Sequence, residues 1–510
     1  MRLDINSSEE SSSDILQCLK AHLPSCNITN DPEDIYVYSH YGVFGTKLIR
    51  NVIAVIHPDP NLSSDTISKA ENAASLSIIK RDNFEEISLS DETPIVIVDD
   101  YNGYDPEKLL DELKKLENSI KNDRMFLNQS KPLGLWILDK LKTNPNYSPN
   151  SKKLDLGYCV AETDSIFRQT SSSKGRLLLC RGLLNGELEV SDRLIDTMYR
   201  CSTCGQCYND IYDEELRINK SIIEARHEIV KKCGDKTPLK SLVRNITSTG
   251  NPSGLSREDR TLWYEDIAES HAFNHNEILY WTGCTTSYRI PEIVKSTVKV
   301  FEKANLDFGM LGNNETCCGL TLYLAGYFEE AQKNARAIVA RAKEIGVRHI
   351  VTSCAGCYYA FSKVYKELGI DTGFKVDHTT QLFERLIDDC IIKPLELHGR
   401  YTWHDPCDLG RHSGVYQAPR NILKSIPGLE VIESPLTGRH ARCCGGGGAL
   451  MAYDYDLSKS IAESKLKLDI HPLSVEGVIT GCPACILNLR GVKEESLRIL
   501  DISQILSKSI

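Results

Sequence analysis

No apolar run in this 510-residue chain approaches the roughly 20 residues that a bilayer-spanning helix requires. The first stretch, MRLDINSSEESSSDILQ, has neither the basic start nor the apolar core of a secretory signal. Both absences point to a cytoplasmic protein that would meet the inner face of a membrane only through a partner. Positive charge is not in excess either. Lys and Arg number 60 against 70 Asp and Glu, a net charge of −10, which leaves no broad basic surface for nucleic acid. The remaining composition, 41% hydrophobic and 25% charged, is that of a soluble globular protein long enough for three or four domains.

What the chain has in quantity is cysteine: 19 residues. In a reducing compartment so many thiols point to metal ligation before disulfides. Residues 1–141 contain only Cys18 and Cys26, together with the strand-like runs RNVIAVI and TPIVIVDD and a charged helix at 105–120, and read as a small α/β region. The polar, Pro- and Asn-containing segment at 142–153 reads as a linker. Residues 150–275 read as helical and carry CSTCGQC, with Cys201, Cys204 and Cys207.

From residue 276 the chain repeats itself. An apolar strand ending in cysteine occurs as EILYWTGC (Cys284) and, 123 residues later, as RYTWHDPC (Cys407). Each is followed by an adjacent pair, Cys317 with Cys318 and Cys443 with Cys444, and then by a strand closing in Cys-x2-Cys, Cys354 with Cys357 and Cys482 with Cys485. The intervening gaps are 32 and 35 residues in the first copy and 35 and 37 in the second. Two homologous α/β domains, 276–396 and 397–510, follow. Apolar residues from Phe328 to Ile345 recur at helical spacing, Gly346 suits the helix end, and a strand follows directly. This order brings each five-cysteine set to the carboxyl ends of strands, where α/β sheets gather their sites.

Five converging cysteines leave several chemistries open. Structural zinc takes four ligands and would leave one thiol over. A disulfide within Cys443–Cys444 would be strained and would leave three thiols unexplained, whereas buried structural thiols would not call for two copies of one pattern. An iron–sulfur centre uses all five, since one member of an adjacent pair could bridge two irons while its neighbour binds one. Glycines, here Gly319 and Gly445 to Gly448, let the backbone approach such a centre and point amides at sulfur.

The pattern resembles the cysteine-rich CCG domain of heterodisulfide reductases in its two-domain form, with HDPCDLGRHSGVYQAPRNIL, CCGGGG and GCPACILNL similar almost throughout. The resemblance implies a non-cubane [4Fe-4S] cluster on Cys284, Cys317, Cys318, Cys354 and Cys357. It implies a second on Cys407, Cys443, Cys444, Cys482 and Cys485, the set assigned here to catalysis together with His404. His404, Asp405, Arg411 and His412 flank Cys407 and could supply protons or anchor an anionic substrate; the blander expectation is that His404 and Asp405 orient the loop.

Residues 174–207 resemble the helical ferredoxin domain of heterodisulfide reductases and of glycolate and anaerobic glycerol-3-phosphate dehydrogenase iron–sulfur subunits. That domain normally carries two complete four-cysteine motifs. Here Ile211 replaces the last cysteine of the second motif, and Pro149, Lys152 and Asp155 replace the first three of the other, leaving Cys159. Because the fourth cysteine of each motif serves the other cluster, Cys159 joins Cys201, Cys204 and Cys207 in one [4Fe-4S] cubane. Cys18, Cys26, Cys180, Cys233 and Cys390 fit no set. The segment NDPEDIYVYSHYGVFG resembles the start of flavin oxidases of the glycolate oxidase type, but the glycine-rich phosphate loop is missing, so no FAD is expected in this chain and the region reads as a docking remnant. The function implied is an iron–sulfur oxidoreductase subunit taking electrons from a flavoprotein to a small-molecule disulfide. The rival is an electron carrier in a lactate, glycolate or glycerol-3-phosphate dehydrogenase complex feeding quinone through a membrane cytochrome partner.

Overall fold

The computed structural model describes residues 27–29, 31–33, 52–57, 77–80, 95–98, 173–208, 218–234, 239–493 and 495–510. Cys18, Cys26, Cys159, the charged helix expected at 105–120 and the linker expected at 142–153 lie outside the described residues. The described residues up to Leu194 and those from Ile195 onward form two compact units.

In the first unit, β1 (Asn27–Thr29), β2 (Val52–His57), β3 (Ser77–Lys80) and β4 (Ile95–Val98) form one sheet in the order β1-β2-β4-β3. Only β1 runs antiparallel to its neighbour. The β-branched runs VIAVIH and IVIV favour extended backbone, and β2 and β4 fall in the two runs expected to be strands.

Helices span Ser173–Leu184, Asp192–Tyr199, Ile218–Cys233, Lys240–Thr249 and Glu265–Ser270, with no strand between them among the described residues. The duplication then begins. Strands β5 (Ile278–Trp281), β6 (Phe308–Gly309), β7 (His349–Thr352) and β8 (Lys375–His378) form a parallel sheet in the order β6-β5-β7-β8. Strands β9 (Gly399–Trp403), β10 (Leu429–Val431), β11 (Gly477–Thr480) and β12 (Arg498–Asp501) repeat it as β10-β9-β11-β12. The chain enters each sheet at a central strand and reverses its order there, so the carboxyl ends of β5 and β7, and of β9 and β11, face one crevice per domain. The helix read from periodicity spans Phe328–Glu344, and Gly346 adopts φ +76° just beyond it. One apolar core joins the two domains, with Tyr280, Val298, Phe301 and Phe383 of the first packed among Trp403, Ile422, Ile479 and Ile505 of the second.

The repeat extends beyond its cysteines. His378 and Asp501, again 123 residues apart, end β8 and β12 and cap the following helices through identical capping boxes. Burial pushes the His378 imidazole down to about 4, so it is neutral, accepting from the Thr380 amide while its Nε2 bonds the Gly481 carbonyl at 3.0 Å. Burial pushes the Asp501 carboxyl up to about 6. An unfolded aspartate titrates near 3.9, so between about pH 4 and 6 the folded state holds a proton that the unfolded state has lost, and stability falls as pH rises through that window. Asp501→Asn keeps the acceptor for Ser503 and removes the charge. Urea midpoints should show the variant stabilised by about 2–3 kcal/mol at pH 7.5, with the gain vanishing below pH 4.

Candidate metal centres

The first set is built on the ends of β5 and β7. Gly283 adopts φ +81°, and a Cβ there would lie 3.3 Å from Cys357 Sγ, so the loop carrying Cys284 packs directly against the second ligand pair. Glu315 anchors that loop from within the protein: its carboxylate accepts from the Thr282 and Gly283 amides, both at 2.8 Å, and pairs with Arg260. Arg260 and Glu315 are both about 1–2% exposed, and the guanidinium lies 4.0 Å from Cys284 Sγ. The thiols form a continuous chain of contacts, Cys284 to Cys317 to Cys318 to Cys357 to Cys354. The second member of the adjacent pair stands at the middle of the set, where hydrogen bonds from Cys317 and Cys357 pull the Cys318 thiol down to about 6. Glu315→Ala would leave the Arg260 charge and two amides unpaired, with an expected loss of about 3–5 kcal/mol of unfolding free energy measurable by denaturant titration.

The second set repeats this arrangement. Cys407 contacts Cys443, and Cys444 Sγ lies 3.1 Å from Cys485 Sγ, which contacts Cys482. Hydrogen bonds from Cys443 and Cys485 hold Cys444 well below the usual thiol range, as at Cys318. The amides of Gly319, Gly445 and Gly446 point at Cys317, Cys443 and Cys444 Sγ at 3.3–3.4 Å. Gly445 and Gly448 have positive φ, and a Cβ on Gly448 would come within 2.3 Å of Ser202 backbone. All five thiols of the second set are buried, whereas Cys284 and Cys354 of the first are half-buried. Among the described residues every cysteine is free of disulfides, including Cys443 and Cys444.

The Cys201–Cys207 loop lies against the second set. Cys204 and Cys443 pack together with Cys407, Leu450 and Ile461 in one buried cluster. Among the described residues, the groups of three ligand atoms within 4.8 Å of one another are His404 with Cys444 and Cys485, and Cys407 with Asp408 and His412. Cys201, Cys204 and Cys207 are not such a group.

The thiols, amide donors and buried cationic groups fit an iron–sulfur group: many sulfur ligands, N–H groups directed at sulfur, and positive charge nearby to offset the thiolates. A cysteine-rich domain family, CCG, matches the chain twice, over residues 278–362 and 401–490. The chain is 31% identical over 384 residues to the D subunit of the dihydromethanophenazine:CoB--CoM heterodisulfide reductase of Methanosarcina acetivorans, across 72% of this chain and 90% of that protein. The chain belongs to the family of heterodisulfide reductase D subunits. Other relatives include the B subunit of the fumarate reductase (CoM/CoB) of Methanothermobacter marburgensis, 29% identical over 61% of this chain and 60% of that one. The EtfAB:quinone oxidoreductase of Syntrophomonas wolfei is 28% identical over 62% of this chain and 47% of its own length. The family is one of iron–sulfur oxidoreductases. Among the described residues no helix is long and apolar enough to cross a membrane.

The four polar residues around Cys407 divide in this member of the heterodisulfide reductase family. Asp405 orients the loop, accepting from Trp403 Nε1 at 2.9 Å, from Arg420 at 2.8 Å and from the Gly438 amide at 2.7 Å. His404 bonds nothing through its ring, so the expectation that both residues orient the loop is met only by its neighbour. Arg411 and His412 hold the Cys201–Cys207 loop instead. Arg411 donates to the carbonyls of Cys204, Arg439 and Ala441, and the His412 ring contacts the Thr203 carbonyl at 3.0 Å.

Two residues had no signal in the sequence. Arg226, fully buried, donates to the carbonyls of Met198, Cys201, Leu324 and Gly448, and so ties the Cys201–Cys207 loop to both CCG domains. Asp408 follows Cys407 and accepts from its Sγ at 3.8 Å; a Cβ on Gly356, in the Cys354–Cys357 turn, would lie 3.4 Å from its other oxygen. It therefore stands between the two thiol sets, where burial pushes its carboxyl up to about 6.

Proposed function

We propose that this chain is the iron–sulfur subunit of an oxidoreductase complex in which a flavoprotein delivers electrons at the Cys201–Cys207 loop and the CCG sites serve reduction of a small-molecule disulfide. Cys159, Cys201, Cys204 and Cys207 would hold a [4Fe-4S] cubane. Each five-thiol set would hold a non-cubane [4Fe-4S] group, Cys318 and Cys444 taking the central positions. When bound, these groups supply one-electron transfer. The observation that carries the reading is the packing of Cys204 with Cys407 and Cys443 in one buried cluster: the loop of the entry site touches the second set, so no bulk solvent separates them.

The residues then have separate tasks. Arg226, Arg411 and His412 fix the entry loop against the second set by binding its carbonyls. Asp405 and Glu315 fix the loops carrying Cys407 and Cys284. Reduction of a disulfide takes two electrons and two protons and releases two thiols. Asp408 links buried Cys407, in the set assigned to catalysis, to the turn of half-buried Cys354; the substrate would approach on that side, with the Asp408 carboxyl beside Cys407. Oxidising the reduced protein with a candidate thiol present, and recording its EPR spectrum, tests this reading. A new thiol-dependent signal supports disulfide chemistry. A spectrum unchanged across candidate thiols would instead support an electron carrier feeding quinone, the role carried in the name of the Syntrophomonas relative.

A further inference from the structure

The two sheets place Trp281 and His404 at the same position, 123 residues apart and three before the first cysteine of each set. Trp281 pairs in register with Thr352, and His404 donates its amide to the carbonyl of Ile479, the residue before Thr480. Thr352 and Thr480 are themselves equivalent, each two residues before the first cysteine of its Cys-x2-Cys pair. Both side chains at 281 and 404 are 2% exposed. Trp281 Nε1 has no hydrogen-bond partner, and neither ring nitrogen of His404 has one.

An orphaned buried donor costs about 1–3 kcal/mol, so two of them at one register of a duplicated sheet need an explanation. The preceding residue of each strand shows the contrast: Tyr280 hydroxyl bonds Ser353 Oγ at 2.5 Å, and Trp403 Nε1 bonds Asp405. The polar groups of Tyr280 and Trp403 are thus satisfied, whereas those of Trp281 and His404, one residue nearer the cysteines, are open. The His404 ligand atom lies within 4.8 Å of both Cys444 and Cys485 Sγ. An indole cannot ligate a metal; the chemistry it shares with imidazole is donation of an N–H.

We propose that positions 281 and 404 supply N–H donors to a sulfur of the group held by their own thiol set, Trp281 to the first and His404 to the second. The inference rests on the reading that both sets bind iron–sulfur groups. Donation to sulfur favours the more negative, reduced state, so each residue raises the reduction potential of one centre.

The test uses the full chain purified anaerobically, as Trp281→Phe, His404→Leu and His404→Gln variants, each checked for iron and sulfide and titrated potentiometrically by EPR. Trp281→Phe should move one centre to more negative potential and His404→Leu the other, while His404→Gln, which keeps an N–H, stays nearer the parent. Unshifted potentials in both Trp281→Phe and His404→Leu at full iron content overturn the proposal. If His404→Leu fails to load, His404→Gln decides: loading at near-parental potential supports the donor role, and equal depletion overturns it. Absence of iron and sulfide from the unmodified chain would sink the underlying reading instead.

Discussion

Replacing Cys444 with serine should abolish electron transfer beyond the Cys201–Cys207 loop and remove about a third of the iron, the share of one group in three. Cys444 is the middle thiol of its set, in contact with Cys443 on one side and Cys485 on the other. A hydroxyl in its place is a harder, far less acidic donor, and the neighbouring thiols lose their shared partner. The effect should be confined to one domain, because the first set has its own centre at Cys318. Iron content, and EPR spectra of dithionite-reduced protein, check this: Cys444→Ser and Cys318→Ser should each delete a different signal and leave the other two. Disulfide reductase turnover should fall by at least about 100-fold in both, since both CCG sites are proposed to serve the reduction.

Arg226→Met should have the next largest effect, on stability rather than on any one centre. Methionine matches the stem but leaves carbonyls from Met198, Cys201, Leu324 and Gly448 buried without their donor. With about 1 kcal/mol or more for each lost charged hydrogen bond, destabilisation of about 3–5 kcal/mol is expected, seen as a lower denaturant midpoint. Because the residue clamps the entry loop, faster loss of the Cys201–Cys207 centre on air exposure should accompany it. Arg226→Lys, with three donors instead of five, should fall between Arg226→Met and the parent.

Much of this was readable from spacing. The doubled cysteine pattern located both thiol sets, and a period of 3.6 followed by glycine and an apolar run located the Phe328–Glu344 helix and the strand behind it. Such features are local, and local propensity carries them. The parts that were not readable depend on contacts between distant residues. Arg226 sits in an ordinary amphipathic helix with no motif around it, and its acceptors are 25 to 222 residues away. Glu315 lies two residues before a conspicuous cysteine pair, yet its role comes from amides 32 and 33 residues earlier. The capping pair His378 and Asp501 escaped notice because the repeat preserves the function of the position and changes the residue. His404 and Asp405 were grouped by adjacency, but successive residues leaving a strand point to opposite faces, so one orients the loop and the other is turned toward the thiols. The proposed cubane is the least complete: Cys204 turns toward Cys443, and Cys159 lies outside the described residues.

Whether the three cysteine sets are iron–sulfur sites at all is decided by the iron and acid-labile sulfide bound per chain in anaerobically purified protein. About twelve of each are expected, from one four-iron group at the Cys201–Cys207 loop and one in each CCG domain. Zinc in their place, with no sulfide, would contradict that assignment and with it the proposed electron path.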